Sequence, residues 1–166
     1  LRPTDYPIGR RVRFHQNLKA AGQTPEKQIL RLETRLADSR EAEALNLPEN
    51  SEVHVYEGIS LADSAPLALS RSVFPAARFP GLLSALEETH SVTAALAREG
   101  LADYTRASTR LTAKLATATQ ALHLRISEGA PILRTINVNV DEHDQPVEYG
   151  HTWFAGDRIS LTITPE

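Results

Sequence analysis

The chain contains neither cysteine nor methionine, a single tryptophan, and only 5% aromatic residues. Without cysteine it has no disulfide, no thiolate nucleophile and no sulfur ligand for a metal, a usage that fits a reducing cytosol. The missing methionine, in a chain that opens on Leu1, predicts a piece of a longer protein. No window approaches the roughly 18 successive apolar residues of a membrane-crossing helix, so no contact with membrane is expected. Nor is there an excess of positive charge. The net charge is -3, and lysines and arginines are scattered apart from Arg10, Arg11 and Arg13. Such a balance provides no field that would draw nucleic acid to this piece.

Chemistry-bearing motifs are equally scarce. The six histidines show no His-x-x-x-His or His-Glu-x-x-His spacing, and no Gly-x-Ser-x-Gly elbow or phosphate-binding loop occurs. No metal, cofactor or catalytic residue is therefore expected. What remains is an ordinary globular composition: 166 residues, 41% of them apolar, with a mean hydropathy of -0.30. That length suffices for one domain with its own core.

The most informative feature is internal repetition. Leu18-Lys-Ala-Ala-Gly22 returns as Leu96-Ala-Arg-Glu-Gly100, and Ala44-Leu45-Asn46-Leu47 returns as Ala121-Leu122-His123-Leu124. Pro66, which opens the stretch to Phe74, returns as Pro146, which opens the stretch to Phe154. The offset is about 75 to 80 residues throughout. Two copies are too few for a solenoid, so two similar units are expected to close on each other with a crevice between them.

Within each unit the predicted order is helix, strand, helix, hairpin. Residues 12–21 read as a helix stopped by Gly22, and 27–37 as a half-buried strand. Asp38 and Glu41 form a capping box for a helix that buries Ala42 and Leu45. Strands at 52–62 and 67–74 flank the turn Asp63-Ser64-Ala65-Pro66, and a short helix follows over 79–86. In the second unit Ser91 caps a helix, 103–111 is a strand, 113–124 a helix, and 132–140 and 147–154 a hairpin. A last strand covers 158–164, and residues 1–9 read as a linker. The expected class is α+β, a largely antiparallel sheet of six or seven strands with flanking helices.

Several motifs stand in a diagnostic order: Leu45-x-Leu47, Leu61-Ala62-Asp63-x-x-Pro66 with Ser72 beyond, and Ala121-Leu122-x-Leu124. They are followed by Gly129-x-Pro131, Asp141, Pro146-Val147-Glu148-Tyr149 and Phe154-x-Gly156-Asp157-Arg158. In this order they resemble the effector-binding (UTRA) domain of the HutC branch of GntR-type bacterial transcription regulators. Within that branch the chain is most similar to repressors of phosphonate-utilisation operons. The resemblance implies a chorismate-lyase-like fold over 10–166 and a winged helix-turn-helix domain ahead of Leu1. It further implies a cytoplasmic homodimer that meets operator DNA only through that other domain, under control of a small organophosphorus effector.

Strand parity then sorts candidate ligand residues. Glu148, Thr152 and Phe154 share one face of the 147–154 strand. In sugar-phosphate-responsive relatives, the resemblance implies, the glutamate of this motif contacts the ligand. Those relatives carry an arginine pair and a further glutamate where this chain has Gly58-Ile59-Ser60 and Ser70, which argues for a smaller or differently held anion. Ser72 shares the face of Ser70. Parity puts Arg106 and Arg110 together with Tyr104 and Ser108, and a guanidinium fork meets phosphonate oxygens in pairs. Phe14-His15 matches the family's Phe-Ser step at the start of the first helix, where, the resemblance implies, the chain approaches the anion; His15 stands in place of the serine, and Arg13 adds charge at the same point. A chorismate-lyase-like enzyme, or a dimerisation module without ligand, would use the same scaffold differently.

Overall fold

The computed structural model describes residues 3–9 and 25–165. The expected helix over 12–21 and the candidates Arg13, Phe14 and His15 lie outside the described residues.

A six-stranded antiparallel sheet forms the body. Its strands are β2 (Pro25–Leu36), β3 (Glu52–Ala62), β4 (Ala65–Pro75), β5 (Thr105–Leu115), β6 (Pro131–Val140) and β7 (Pro146–Ala155), in the order β2-β3-β4-β7-β6-β5. The order reads as one unit followed by its reverse, with β4 and β7 paired at the seam. Duplication therefore shows in the topology. It shows again in the irregularities, because Leu30 in β2 and Ala107 in β5 are bulged at matching places, as are Leu67 in β4 and Val147 in β7.

Local chemistry explains the elements. Asp63 and Ser64, both at positive φ (50° and 66°), make a two-residue turn whose twist suits a hairpin. Helix α1 (Ser39–Ala44) begins with the Asp38–Glu41 capping box, and α4 (Ala118–Leu124) with an equivalent box of Thr117 and Gln120. Between the units run α2 (Leu82–Thr89) and α3 (Val92–Arg98), the latter capped by Ser91. Residues 113–115, expected to be helical, continue β5 instead, because the ladder with β6 runs on to Leu115 opposite Pro131. Pairing along a strand outweighs the helix preference of a lone alanine.

Helices cover both faces. On one face α2 and α3 bury Leu82, Leu86 and Leu96 against Tyr56, Phe74 and Val147. Each fully buried leucine of this kind contributes about 1.5–3 kcal/mol. His54 joins this layer to the sheet, with Nε2 donating to Phe79 O at 2.9 Å and Nδ1 2.8 Å from Thr34 Oγ1. On the opposite face, Leu45 beside α1 packs on Val53, Val55 and Val73, while α4 packs on Ile132 and Trp153.

The reading of 1–9 as a linker needs correction. Thr4–Ile8 is a strand, β1, paired in parallel with β8 (Ile159–Ile163) in a separate two-stranded sheet. Arg158, just before β8, donates to three carbonyls, Pro66 O (2.9 Å), Leu124 O (2.6 Å) and Arg125 O (2.8 Å). A guanidinium suits this place, since the end of α4 presents unpaired carbonyls and negative potential. Both units and the C-terminal strand are tied at that one side chain.

Candidate functional site

The face of the sheet that α2 and α3 cover does not close completely over the seam. A cavity of about 390 Å³ lies there, within the range of sites that hold small molecules. Its floor is the inward row of the four central strands. From β4 come Ala68, Ser70 and Ser72; from β7 Glu148, Gly150, Thr152 and Phe154; from β6 Thr135 and Asn137; from β3 Tyr56 and Ser60. Tyr6 and Ile8 of β1 and the segment from His90 to Ala97 form its rim, and Lys27 and Arg106 reach it from the two outer strands. Tyr6 stacks obliquely on Phe154, with ring centroids 5.5 Å apart.

Of the expected residues, the cavity gathers Ser60, Ser70, Ser72, Arg106, Glu148, Thr152 and Phe154. It does not gather Arg110, which is exposed. The bulge at Ala107 is the reason. Arg106 stands opposite Asn139, but after the extra residue Ser108 faces Val138 and Arg110 faces Ile136. One inserted residue turns every later side chain to the other face. Arg110 thus lies in a cross-strand row with Ile136, His151, Arg71 and Glu57 on the far side of the sheet.

The same device hides a residue that alternation alone misses. Counting in twos along β2 puts Lys27 with the outward side chains, but the bulge at Leu30 brings Lys27 and Ile29 to the face of Leu32. Tyr6 was missed because the prolines around it suggest a linker. Asn137 and Asn139 were missed because nothing in the sequence marks an inward asparagine until the strand pairing is known.

Glu148 is the centre of the polar lining. Its carboxylate is buried (7% exposed) and accepts from Ser72 Oγ at 2.6 Å and from Asn139 Nδ2 at 2.8 Å. Burial lowers the Lys27 ammonium below the ordinary lysine value, and the field of Glu148 opposes that drop. Burial also raises Tyr6, opposed by the Arg106 guanidinium, which hydrogen-bonds it. The Tyr56 hydroxyl is pushed up to about 12 by burial, so it remains a neutral donor. Among the described residues two polar atoms of the lining, Tyr56 Oη and Arg106 Nε, have no hydrogen-bond partner, nor does Asn139 Oδ1 beside Glu148. A cluster of unmatched buried donors and acceptors around one hollow is what a polar ligand satisfies. Among the described residues no group of three or more His, Asp or Glu stands close enough to hold a metal ion.

The UTRA domain family model matches residues 20–160, and the chain belongs to that family, the UTRA domains of GntR-family, HutC-like transcriptional regulators. It is 37% identical over 158 residues to an uncharacterized HTH-type transcriptional regulator, RB1450, of Rhizobium meliloti (strain 1021), covering 95% of this chain and 65% of that protein. It is 28% identical over 165 residues to the probable transcriptional regulator PhnF of Escherichia coli (strain K12), covering 98% of this chain and 68% of the relative. The chain thus spans about two thirds of the length of these relatives. The crystal structure of PhnF from Mycobacterium smegmatis superposes with a TM-score of 0.88 at 23% identity, covering 99% of this chain and 72% of that one. A likeness at that identity establishes the fold, which is the chorismate-lyase-like α+β arrangement expected from the sequence. The relatives are transcriptional regulators, and this is an effector-binding, regulatory domain rather than an enzyme.

Proposed function

We propose that this chain senses a small phosphonate- or phosphate-containing effector in the cavity. On this reading it controls operator binding by a winged helix-turn-helix domain that precedes Leu1, within a cytoplasmic homodimer. One observation carries the ligand class. Arg106 and Lys27, from the two outer strands of the sheet, flank a hollow that also holds the hydroxyls of Ser60, Ser70 and Ser72. Paired cations and hydroxyls in a partly dry site suit an oxyanion with several oxygens. The motif resemblance to phosphonate-operon repressors supports the same class.

Signal transfer would begin at β1. Its Tyr6 touches both the cavity and Arg106, and the strand leads directly toward the start of the chain. A ligand that pulls on Arg106 acts on β1, and so on the spacing of two reading heads along DNA. Only a difference in affinity between the two dimer arrangements can shift operator binding. Isothermal titration of alkylphosphonates and phosphate esters into the chain tests the reading. Heat of binding that disappears in Arg106→Ala is the expected result, and no heat from any of them overturns the ligand class.

A further inference from the structure

The cavity holds one charge that an anionic ligand would not use. Among the described residues its charged lining consists of two cations, Lys27 and Arg106, and the carboxylate of Glu148. Among the described residues Glu148 is held by two neutral donors, Ser72 Oγ on Oε2 and Asn139 Nδ2 on Oε1. Each carboxylate oxygen has room for about two hydrogen bonds, so each keeps one acceptor position. The open acceptor positions of a charged carboxylate therefore stand on the wall of the hollow.

A ligand bearing negative charge alone fits this arrangement poorly. It would take up Arg106 and Lys27, whose charge lies in the field of Glu148, and would leave a buried carboxylate facing a second anion. Uncompensated buried charge is among the costliest features a site can carry. A hydroxyl on the ligand would satisfy one acceptor and leave the charge. An ammonium group presents donors for the open positions on the carboxylate together with one positive charge, which restores the balance.

Resting on the organophosphorus reading above, we propose that the effector is a zwitterion, an organophosphonate or phosphate ester that carries a primary ammonium group. Its phosphorus oxyanion lies against Arg106 and Lys27, and its ammonium lies against the carboxylate of Glu148. Glu148 then acts as a specificity residue that selects amino-substituted ligands over their plain and hydroxylated analogues.

Three probes decide the matter by isothermal titration at neutral pH: 2-aminoethylphosphonate, ethylphosphonate and 2-hydroxyethylphosphonate. The amino compound is expected to bind the wild-type chain at least tenfold more tightly than either of the others. In Glu148→Gln that preference should fall below about threefold, with ethylphosphonate bound as well as before or better. If ethylphosphonate or 2-hydroxyethylphosphonate binds the wild type as tightly as the amino compound, the zwitterion is wrong and the organophosphorus reading survives. If neither these three nor the matching phosphate esters, phosphoethanolamine and ethyl phosphate, give heat with folded protein, both fall. Should Glu148→Gln not fold, as judged by circular dichroism, the wild-type series alone decides.

Discussion

Ser72 Oγ donates to Glu148 Oε2 at 2.6 Å across 76 residues of sequence. One residue comes from β4, the last strand of the first unit, and the other from β7, the last strand of the second. Their hydrogen bond crosses the seam where the repeats meet, so the binding hollow and the joint between the units share a side chain pair. Removing the hydroxyl in Ser72→Ala leaves the buried carboxylate with Asn139 as its sole neutral donor. We expect a loss of about 1–3 kcal/mol in folding stability, the usual cost of depriving a buried charged acceptor of a donor. Urea denaturation measures it, and a change below about 0.5 kcal/mol would show that the contact is energetically idle.

The two arginines of β5 should separate cleanly. Arg106→Ala is expected to weaken effector binding by about 10- to 100-fold, from the roughly 1.5–3 kcal/mol of a hydrogen bond to a charged group. Arg110→Ala should leave affinity within about twofold, because its side chain lies on the other face of the sheet. Titration of both variants with the same ligand checks this; equal losses would contradict the register.

Two buried glycines on the inward face of the sheet differ in what a methyl group would meet. At Gly58 a Cβ would lie 2.9 Å from Tyr56 Oη and 3.1 Å from Gln28 O, so Gly58→Ala must displace the tyrosine ring. A destabilisation of about 1–3 kcal/mol is expected, as for other overpacked sites. At Gly150 the nearest atoms are Asn137 Nδ2 at 3.6 Å and Ser72 Oγ at 3.8 Å, which is ordinary contact. Gly150→Ala should therefore fold at least as well as wild type, since glycine within a strand costs about 0.5–1 kcal/mol relative to alanine, while its methyl group intrudes on the cavity floor and weakens binding. Thermal melts paired with titrations tell stability from occupancy, and a Gly150→Ala protein that binds normally would place the ligand elsewhere.

On the opposite face His151 stacks on Trp153 with centroids 5.7 Å apart and meets Tyr149 edge-on at 5.0 Å. Burial, with Arg71 and Arg134 adding repulsion, lowers its pKa to about 4. Above about pH 6.5, the ordinary histidine value, the ring is neutral in folded and unfolded chains alike. Below that pH the unfolded chain takes up a proton that the folded one refuses, so stability falls as pH falls, and the loss is complete near pH 4. His151→Gln should lose less stability than wild type between pH 6.5 and 4. Parallel melting-temperature curves for the two proteins would remove this histidine from the acid response.

Much of this domain is legible in the sequence because the signals are local or repeated. The Asp38–Glu41 box and the Ser91 cap announce helix starts, and Asp63-Ser64 announces a hairpin. The recurrence of one pattern some 75 to 80 residues later announces two units. Glu148, Thr152 and Phe154 could be assigned to one face because β7 is regular between them, and the structure brings them to one cavity.

What the chain by itself did not reveal was which side chains a bulge redirects. Lys27 and Arg110 exchange faces relative to simple alternation because Leu30 and Ala107 are squeezed out of their ladders, and that depends on how β3 and β6 pair with them. Nothing about a leucine or an alanine marks it as a bulge. Nor does Tyr6, between prolines, declare that it will lie beside β8, more than 150 residues on, and wall the hollow. Composition and periodicity are properties of a segment, whereas register is a property of two segments at once, and the charge lining this cavity is decided by register.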